Sequence, residues 1–261
     1  MRRNGPLALL FHTIFVIVMV APILVVCLVA FTPEGFLSLP TNGFSLRWFR
    51  AIANYPEFIH AFWVSLGLGA LSSFVALLFA VPAALAIARY RFRGREAMTA
   101  LFMSPLILPA LAFGLASLIY FSRLNINLSL ATLVIGHSVV GVPYVMRTTI
   151  AALSQLPPAL LESSASLGAS RAYTFRRVTL PLIAPGIAAG AFIAFMSSFD
   201  NVPVSLFLRD ASTDMLPIRM WQDLEGKLDV SIAAVSSLMV LGTLILMIVM
   251  ERLTGISKRI R

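Results

Sequence analysis

Along this 261-residue chain, apolar side chains fall in long unbroken blocks rather than alternating with polar ones. Six blocks stand out: residues 7–31, 59–88, 97–121, 130–146, 182–199 and 230–250, none of which contains Asp, Glu, Lys or Arg. A hydrocarbon core about 30 Å thick is crossed by about 20 helical residues, and a spanning backbone must satisfy its own polar groups. The pattern therefore predicts an all-α membrane protein with six transmembrane helices. The first block is too long for the apolar region of a signal peptide and no clear small-residue cleavage pattern follows it, so it reads as a retained helix. The blocks at 130–146 and 182–199 are the shortest and carry Pro143 and Pro185 near their ends, which leaves their limits the least defined.

Composition supports the pattern. Apolar side chains make up 59% of the chain and charged ones 12%, against about 25% charged in soluble domains. That excludes a soluble enzyme, a disordered tail and a secreted disulfide scaffold; Cys27 is alone and forms no internal disulfide. The net charge of +9 is informative through its placement. Fourteen of the twenty Lys and Arg lie in the segments 2–3, 89–95, 147–177 and 252–261, and the other six are Arg47, Arg50, Arg123, Arg209, Arg219 and Lys227. These two groups occupy opposite sides of a six-span chain, so the basic-side-inward bias places both termini in the cytoplasm. Of the acids, only Glu96, Glu162 and Glu251 fall on the basic side. Membrane topology accounts for the charge, and nucleic-acid binding is not needed to explain it.

Chemistry-bearing motifs are missing. Gly226-Lys227 lacks the upstream glycine of a phosphate-cradling loop, and no Cys/His cluster has metal-ligand spacing. The stretch 136–141 is one residue too long for a nucleophile elbow, so His137 reads as a buried or pore-facing polar residue. Gly67 and Gly69, among Ser65, Ala70, Ser72 and Ser73, read as a close helix-packing face. Ion-coupled carriers place ionisable groups inside their spans. Here only His12, His60 and His137 do so, with Asp200 at a boundary. Energy for transport is then expected from a partner.

The longest basic-side loop, residues 147–181, is the most informative. Pro157-Pro158 suits a helix start, good helix formers follow to Leu167, Glu162 is expected in the first turn, and Gly168 is placed to end the helix. Such a stiff helix, rich in small residues, suits either close approach by a partner or packing on its own bundle. Glu162-Ser163-Ser164, then three residues, Gly168, nine residues, and Val178-x-Leu180-Pro181 resembles the E-A-A-x3-G-x9-I-x-L-P signature. That signature belongs to permease subunits of binding-protein-dependent ABC importers. The flanking stretches 44–49 and 89–94 and the Ser198-Phe199-Asp200-Asn201 run are similar to spermidine/putrescine-type permeases, the second permease of the pair.

What this resemblance implies is a type I ABC importer permease fold in the bacterial inner membrane. Residues 1–58 would form the first helix and outer loop, 59–250 the permease core with a coupling helix at 158–168, and 251–261 a basic cytoplasmic tail. Pro158, Glu162, Ser163, Ser164, Gly168, Leu180 and Pro181 would couple the chain to an ATPase. Implied partners are a second permease (a different chain), two ATP-binding subunits, a periplasmic substrate-binding protein and lipid. No cofactor is expected in this chain, since ATP and Mg would sit on the partner, which also makes this chain no enzyme. Asp200, Asn201 and His137 are candidates for the substrate pathway. The outer segment 200–229 carries six acids against three bases, which favours a small cationic cargo such as a polyamine. Base-poor outer loops explain the same count. The other readings are the same permease class with an opine, aminophosphonate or ferric iron cargo, a secondary carrier half, and a non-transporting membrane scaffold or enzyme subunit.

Overall fold

The computed structural model describes residues 5–36, 41–210, 212–226 and 230–254. Arg2, Arg3, Lys227, Asp229 and the basic tail beyond residue 254 therefore lie outside the described residues. The chain forms two compact units, Met1–Ile59 with Arg219–Leu246 and His60–Ile218 with Met247–Arg261. Every regular element among the described residues is helical.

In the first unit, α1 (Pro6–Val29) begins on a proline whose missing N–H is unneeded at a helix start. Its apolar residues are exposed nearly all round, as suits a helix bathed in lipid. The 44–49 stretch anchors the end of this span. Phe31 stacks on Phe44 at 4.8 Å and meets Phe49 in a tilted contact at 5.0 Å. Trp48 Nε1 donates to the Thr32 carbonyl at 3.0 Å, and Arg47 donates to the Pro33 carbonyl at 2.7 Å. The Arg47 guanidinium also covers the Trp48 ring at 4.3 Å. The short α2 (Arg47–Ala53) follows.

In the second unit, α3 (Pro56–Arg89) enters from the preceding unit and spans 34 residues. The block at 97–121, expected as one straight span, is broken. It forms α4 (Arg95–Met103), a single 3-10 turn (Ser104–Leu106) and α5 (Ala110–Arg123), bent by 103°. Pro105 and Pro109 are the physical reason. Each lacks an N–H and clashes with the preceding turn; Ser104 before Pro105 still keeps helical angles, and the backbone leaves helical geometry at Pro109, whose ψ is 129°. Among the described residues, five helices are thus long and apolar enough to cross a membrane, or six if the bent pair counts as one span.

The two short blocks turn out long. The helix α6 (Leu130–Ser154) and the helical segment Arg171–Phe199 run through Pro143 and Pro185, which are interior. The latter segment comprises α8 (Arg171–Thr174), a π turn (Phe175–Thr179) and α9 (Leu180–Phe199), with α7 (Pro158–Ser166) ahead of it. Beyond it, α10 (Val202–Leu208) and α11 (Leu216–Gly226) occupy much of the outer segment that its acid content marks as a loop; α12 (Val230–Thr254) is the last helix described.

The second unit is held by α6 against α9. A Cβ on Gly190 would stand 2.7 Å from the Val145 Cα and collide with Thr148 Oγ1, and one on Gly186 would sit 3.0 Å from the Thr148 carbonyl. With Ala194 and Ser198, these glycines repeat every fourth residue, so they share one face of α9. On the other flank of α6, Ala76, Ala80 and Ala84 of α3 are fully buried against Val142, Val145 and Met146. Lipid offers no hydrophobic gain for joining helices, so close backbone approach between small residues supplies the attraction. Of the two expected packing glycines, a Cβ on Gly69 would stand 3.0 Å from the Phe195 ring, while one on Gly67 would face open space.

This contrast is testable. Gly190→Ala should destabilise the protein by about 1–3 kcal/mol, because even if the Thr148 hydroxyl turns aside, the Val145 Cα is backbone and cannot swing away. Gly67→Ala should be neutral or stabilising by up to about 1 kcal/mol, since only helix propensity changes. Thermal unfolding in the same detergent or nanodisc would rank the two; equal midpoints would refute the packing account.

Candidate functional site

Two regions concentrate the predicted residues, and both lie in the second unit. The first is the loop after α6. Pro157 caps α7 in extended geometry and Pro158 opens it. The first turn contains no acid; Glu162 stands a turn further along, which removes the helix-dipole explanation offered for it. The reason is that the helix starts at Pro158 itself, four residues earlier. At the far end, Gly168 has φ +77, donates to the Ala165 carbonyl at 2.9 Å, and is followed by Ala169 donating to the Ser164 carbonyl at 3.1 Å. This pair of bonds is a complete Schellman stop, with glycine at the left-handed position as expected. Helix α7 buries none of its residues, which does not suit a helix packed on its own bundle. It is tied to α8 by the Ser164 and Thr174 hydroxyls, 2.7 Å apart.

Leu167, just before the stop, is 87% exposed and Tyr173 is 57% exposed. Neither stands out in the sequence, since a leucine at the end of a helix reads as core. Glu162 and Ser163 are exposed beside them, and Leu180 and Pro181 lie beyond the π turn, at the start of α9.

The second region is a cavity of about 400 Å³. The bent segment contributes Pro105, Leu108 and Phe113, α6 contributes Val140 and Tyr144, and the end of α9 contributes Met196 and Ser197. Asp200, Asn201 and Pro203 complete the wall. The proline break that spoils the third span is thus what opens this space. Asp200 is accessible from the cavity, yet enough protein surrounds it that desolvation raises its carboxyl above the ordinary range. Asn201 has a second duty: its Oδ1 accepts from the Val204 N–H at 3.0 Å and caps α10. Helix α10 then packs on α5 at Gly114, where a Cβ would lie 2.9 Å from the Pro203 carbonyl.

His137 is not part of this wall. It is 1% exposed, with Nδ1 2.7 Å from Ser198 Oγ and Nε2 3.0 Å from Ser205 Oγ. A neutral imidazole donates from one nitrogen and accepts at the other, so the two serines satisfy it completely. The residue therefore pins α6 to both α9 and α10. Its partners lie 61 and 68 positions away, beyond the reach of any local pattern. In the loop after α10, Asp210 accepts from the backbone and hydroxyls of Ser212 and Thr213, which holds its carboxyl down to about 2. Among the described residues, no group of three His, Cys, Asp or Glu side chains is placed to hold a metal ion.

Comparison with known proteins decides the family. The family model described as binding-protein-dependent transport system inner membrane component matches residues 76–259. The chain belongs to this family. It is 27% identical over 233 residues to the spermidine/putrescine transport system permease protein PotC of Haemophilus influenzae, covering 89% of this chain and 90% of that one. It is 26% identical over 198 residues to the sulfate transport system permease protein CysT of Salmonella typhimurium, covering 71% and 72%. Among solved structures, a chain of a bacterial alginate ABC transporter in complex with an alginate pentasaccharide-bound periplasmic protein superposes with a TM-score of 0.65. That match has 19% identity and covers 97% of this chain and 93% of that one. The fold is that of type I ABC importer permeases, and the protein is a multi-pass component of the bacterial inner membrane.

The lock and the cavity make opposite predictions for stability. His137→Ala strands two serine hydroxyls and should lower stability by about 1–3 kcal/mol. Asp200→Asn should not lower it, because a carboxyl with a raised folded pKa is least comfortable when ionised. The sign follows from linkage. Stability from this group is full below the unfolded value and is lost as pH rises through the folded one. Thermal midpoints across a pH series should show a downward step in the wild type, above the ordinary carboxylate range, that Asp200→Asn abolishes.

Proposed function

We propose that this permease forms half of the substrate pathway of an ATP-driven importer and couples it to a separate ATPase through α7. One observation carries this role. A helix with the Glu162–Gly168 signature opens on a proline, closes on a Schellman stop, has no fully buried residue, and presents Leu167 to the outside. An exposed leucine on a fixed helix is an anchor waiting for a pocket, since buried apolar side chains dominate interface energies. ATP and Mg then belong to the ATPase, and Pro158, Glu162, Ser163, Ser164, Gly168, Leu180 and Pro181 are the coupling residues. A second permease completes the pathway, and a periplasmic binding protein delivers cargo, as the alginate transporter complex does with its own. Both termini are cytoplasmic under the same basic-residue bias.

For cargo, the cavity favours a small organic cation. Asp200 supplies one carboxylate at the wall, and Phe113 and Tyr144 place aromatic rings in the same lining, surroundings that attract ammonium groups. The resemblance to a spermidine/putrescine permease agrees with this charge. A sulfate-like anion, the cargo named for the Salmonella relative, would meet repulsion from Asp200.

Purification from membranes should bring down an ATP-binding subunit with the wild type. Leu167→Asp should reduce that yield by about tenfold or more, equal to about 1.4 kcal/mol, while Asp200→Asn should leave it intact and cut uptake of labelled spermidine or putrescine. Normal ATPase recovery from Leu167→Asp would remove the docking role. Unaltered polyamine uptake by Asp200→Asn would remove the cationic-cargo reading without touching the rest.

A further inference from the structure

The helical segment from Arg171 to Phe199 does not keep one register. At its foot the Leu180 N–H reaches back five residues to the Phe175 carbonyl, which makes Phe175–Thr179 a π turn. The next residue, Pro181, has no N–H, so an ordinary turn here would leave a carbonyl without its donor. The wide turn lies directly before this defect, and such turns are sites where helices change direction or register. Conversion of the π turn to α geometry would remove one residue from the winding. At 3.6 residues per turn, everything before it would rotate by about 100° relative to α9.

What precedes it is the coupling hairpin. Helix α8 runs directly into the π turn, and α7 is fastened to α8 by Ser164 and Thr174. The winding of these five residues therefore sets the direction in which α7 faces. One side chain reaches into the turn from elsewhere. Arg89, the last residue of α3, donates from Nη2 to Thr179 Oγ1 at 2.7 Å. Thr179 is fully buried, and it occupies the unspecified position within Val178-x-Leu180-Pro181.

We propose that Arg89 is a positioning residue that fixes the register of this π turn. It makes the foot of α3 and the foot of α9 move together when the coupling helix is pushed. The proposal rests on the coupling role given to α7 above. Helix α3 is a suitable anchor, because its Ala76, Ala80 and Ala84 are packed without gap in the core shared with α6. The long guanidinium suits this role, because it presents several donors on a rigid fork at the membrane edge, where its charge can stay hydrated.

The test uses the assembled transporter in proteoliposomes, with cargo uptake and ATP hydrolysis measured together. Thr179→Val keeps the side chain's shape and deletes the hydroxyl; Arg89→Gln keeps a donor but shortens the reach. Each should lower cargo moved per ATP hydrolysed by about three- to tenfold, a size typical of residues that modulate coupling. ATPase recovery should stay at the wild-type level, Thr179→Ser should restore the ratio, and the double variant should be no worse than either single one. An unchanged ratio in both single variants would overturn the proposal. So would a loss that tracks a lower melting temperature and is not rescued by Thr179→Ser, because that marks simple support of the fold. Absence of any ATPase from wild-type preparations would overturn the coupling reading itself, and it is recognised by appearing without a substitution.

Discussion

The second unit depends on how closely α6 and α9 can approach. Inside a bilayer, apolar side chains gain nothing by leaving lipid for one another, so the attraction between spans must come from contact area and from hydrogen bonds. Gly186 and Gly190 bring the α9 backbone onto Val145 and Thr148, and the alanines of α3 repeat the device on the other side of α6. Close packing of this kind is rigid, since small residues have few rotamers and leave no void into which a neighbour could shift. The three spans can therefore act as one lever, and whatever moves the foot of α9 must move its head.

The polar side chains inside this body follow from the same constraint. Lipid offers them no partner, so their hydrogen bonds must be made within the protein; Ser72 Oγ and Thr149 Oγ1 are buried without one. Ser73 donates to the Ala191 carbonyl at 2.9 Å, Ser138 donates to the Ser72 carbonyl at 3.2 Å, and His137 takes both Ser198 and Ser205. These bonds join different helices, so they fix the rotation of each helix that the small residues alone would leave free. Sliding of α9 along α6 would break the glycine contacts and the His137 bonds together. The α7–α8 hairpin joins this body through the π turn, where the winding of the segment changes.

Much of this is legible in the order of residues alone. Blocks free of charge mark the spans, because burying an ion in lipid is too costly to leave the pattern ambiguous. Gly168 is readable as a helix stop because few residues accept a left-handed turn, and the prolines at 157 and 158 mark the start. Other features are hidden for definite reasons. Pro105 and Pro109 lie in a uniformly apolar block, and a proline in a span can be absorbed, as at Pro143 and Pro185, or can break it; the outcome depends on what packs alongside. The helices α10 and α11 are masked by acids and turn formers that also suit loops. Glu162 falls a turn later than its pattern suggests, because the start of the helix decides what counts as its first turn. Arg89 and Thr179 are 90 positions apart, and Thr179 stands where the signature specifies nothing.

The distribution of polar groups also narrows what the cavity can recognise. Most polar side chains of the packed body spend their hydrogen bonds on neighbouring helices, and Asn201 is committed to the α10 cap. The cavity wall is otherwise dominated by prolines, leucines, a phenylalanine, a valine and a methionine, with Ser197, Tyr144 and Asp200 as its remaining polar groups. Discrimination in such a place comes from charge first, because a single carboxylate in a partly desolvated wall acts over a longer range than a hydroxyl. On the proposed cationic-cargo reading, the desolvation that raises the Asp200 carboxyl would also favour a passing cation: the ionised charge is poorly solvated by protein, and a cation would restore what the water no longer supplies. An anion would deepen the deficit. If the cavity serves the proposed pathway, its cargo must be bound weakly enough to be released, and one carboxylate among apolar walls would meet that requirement better than a cluster of acids.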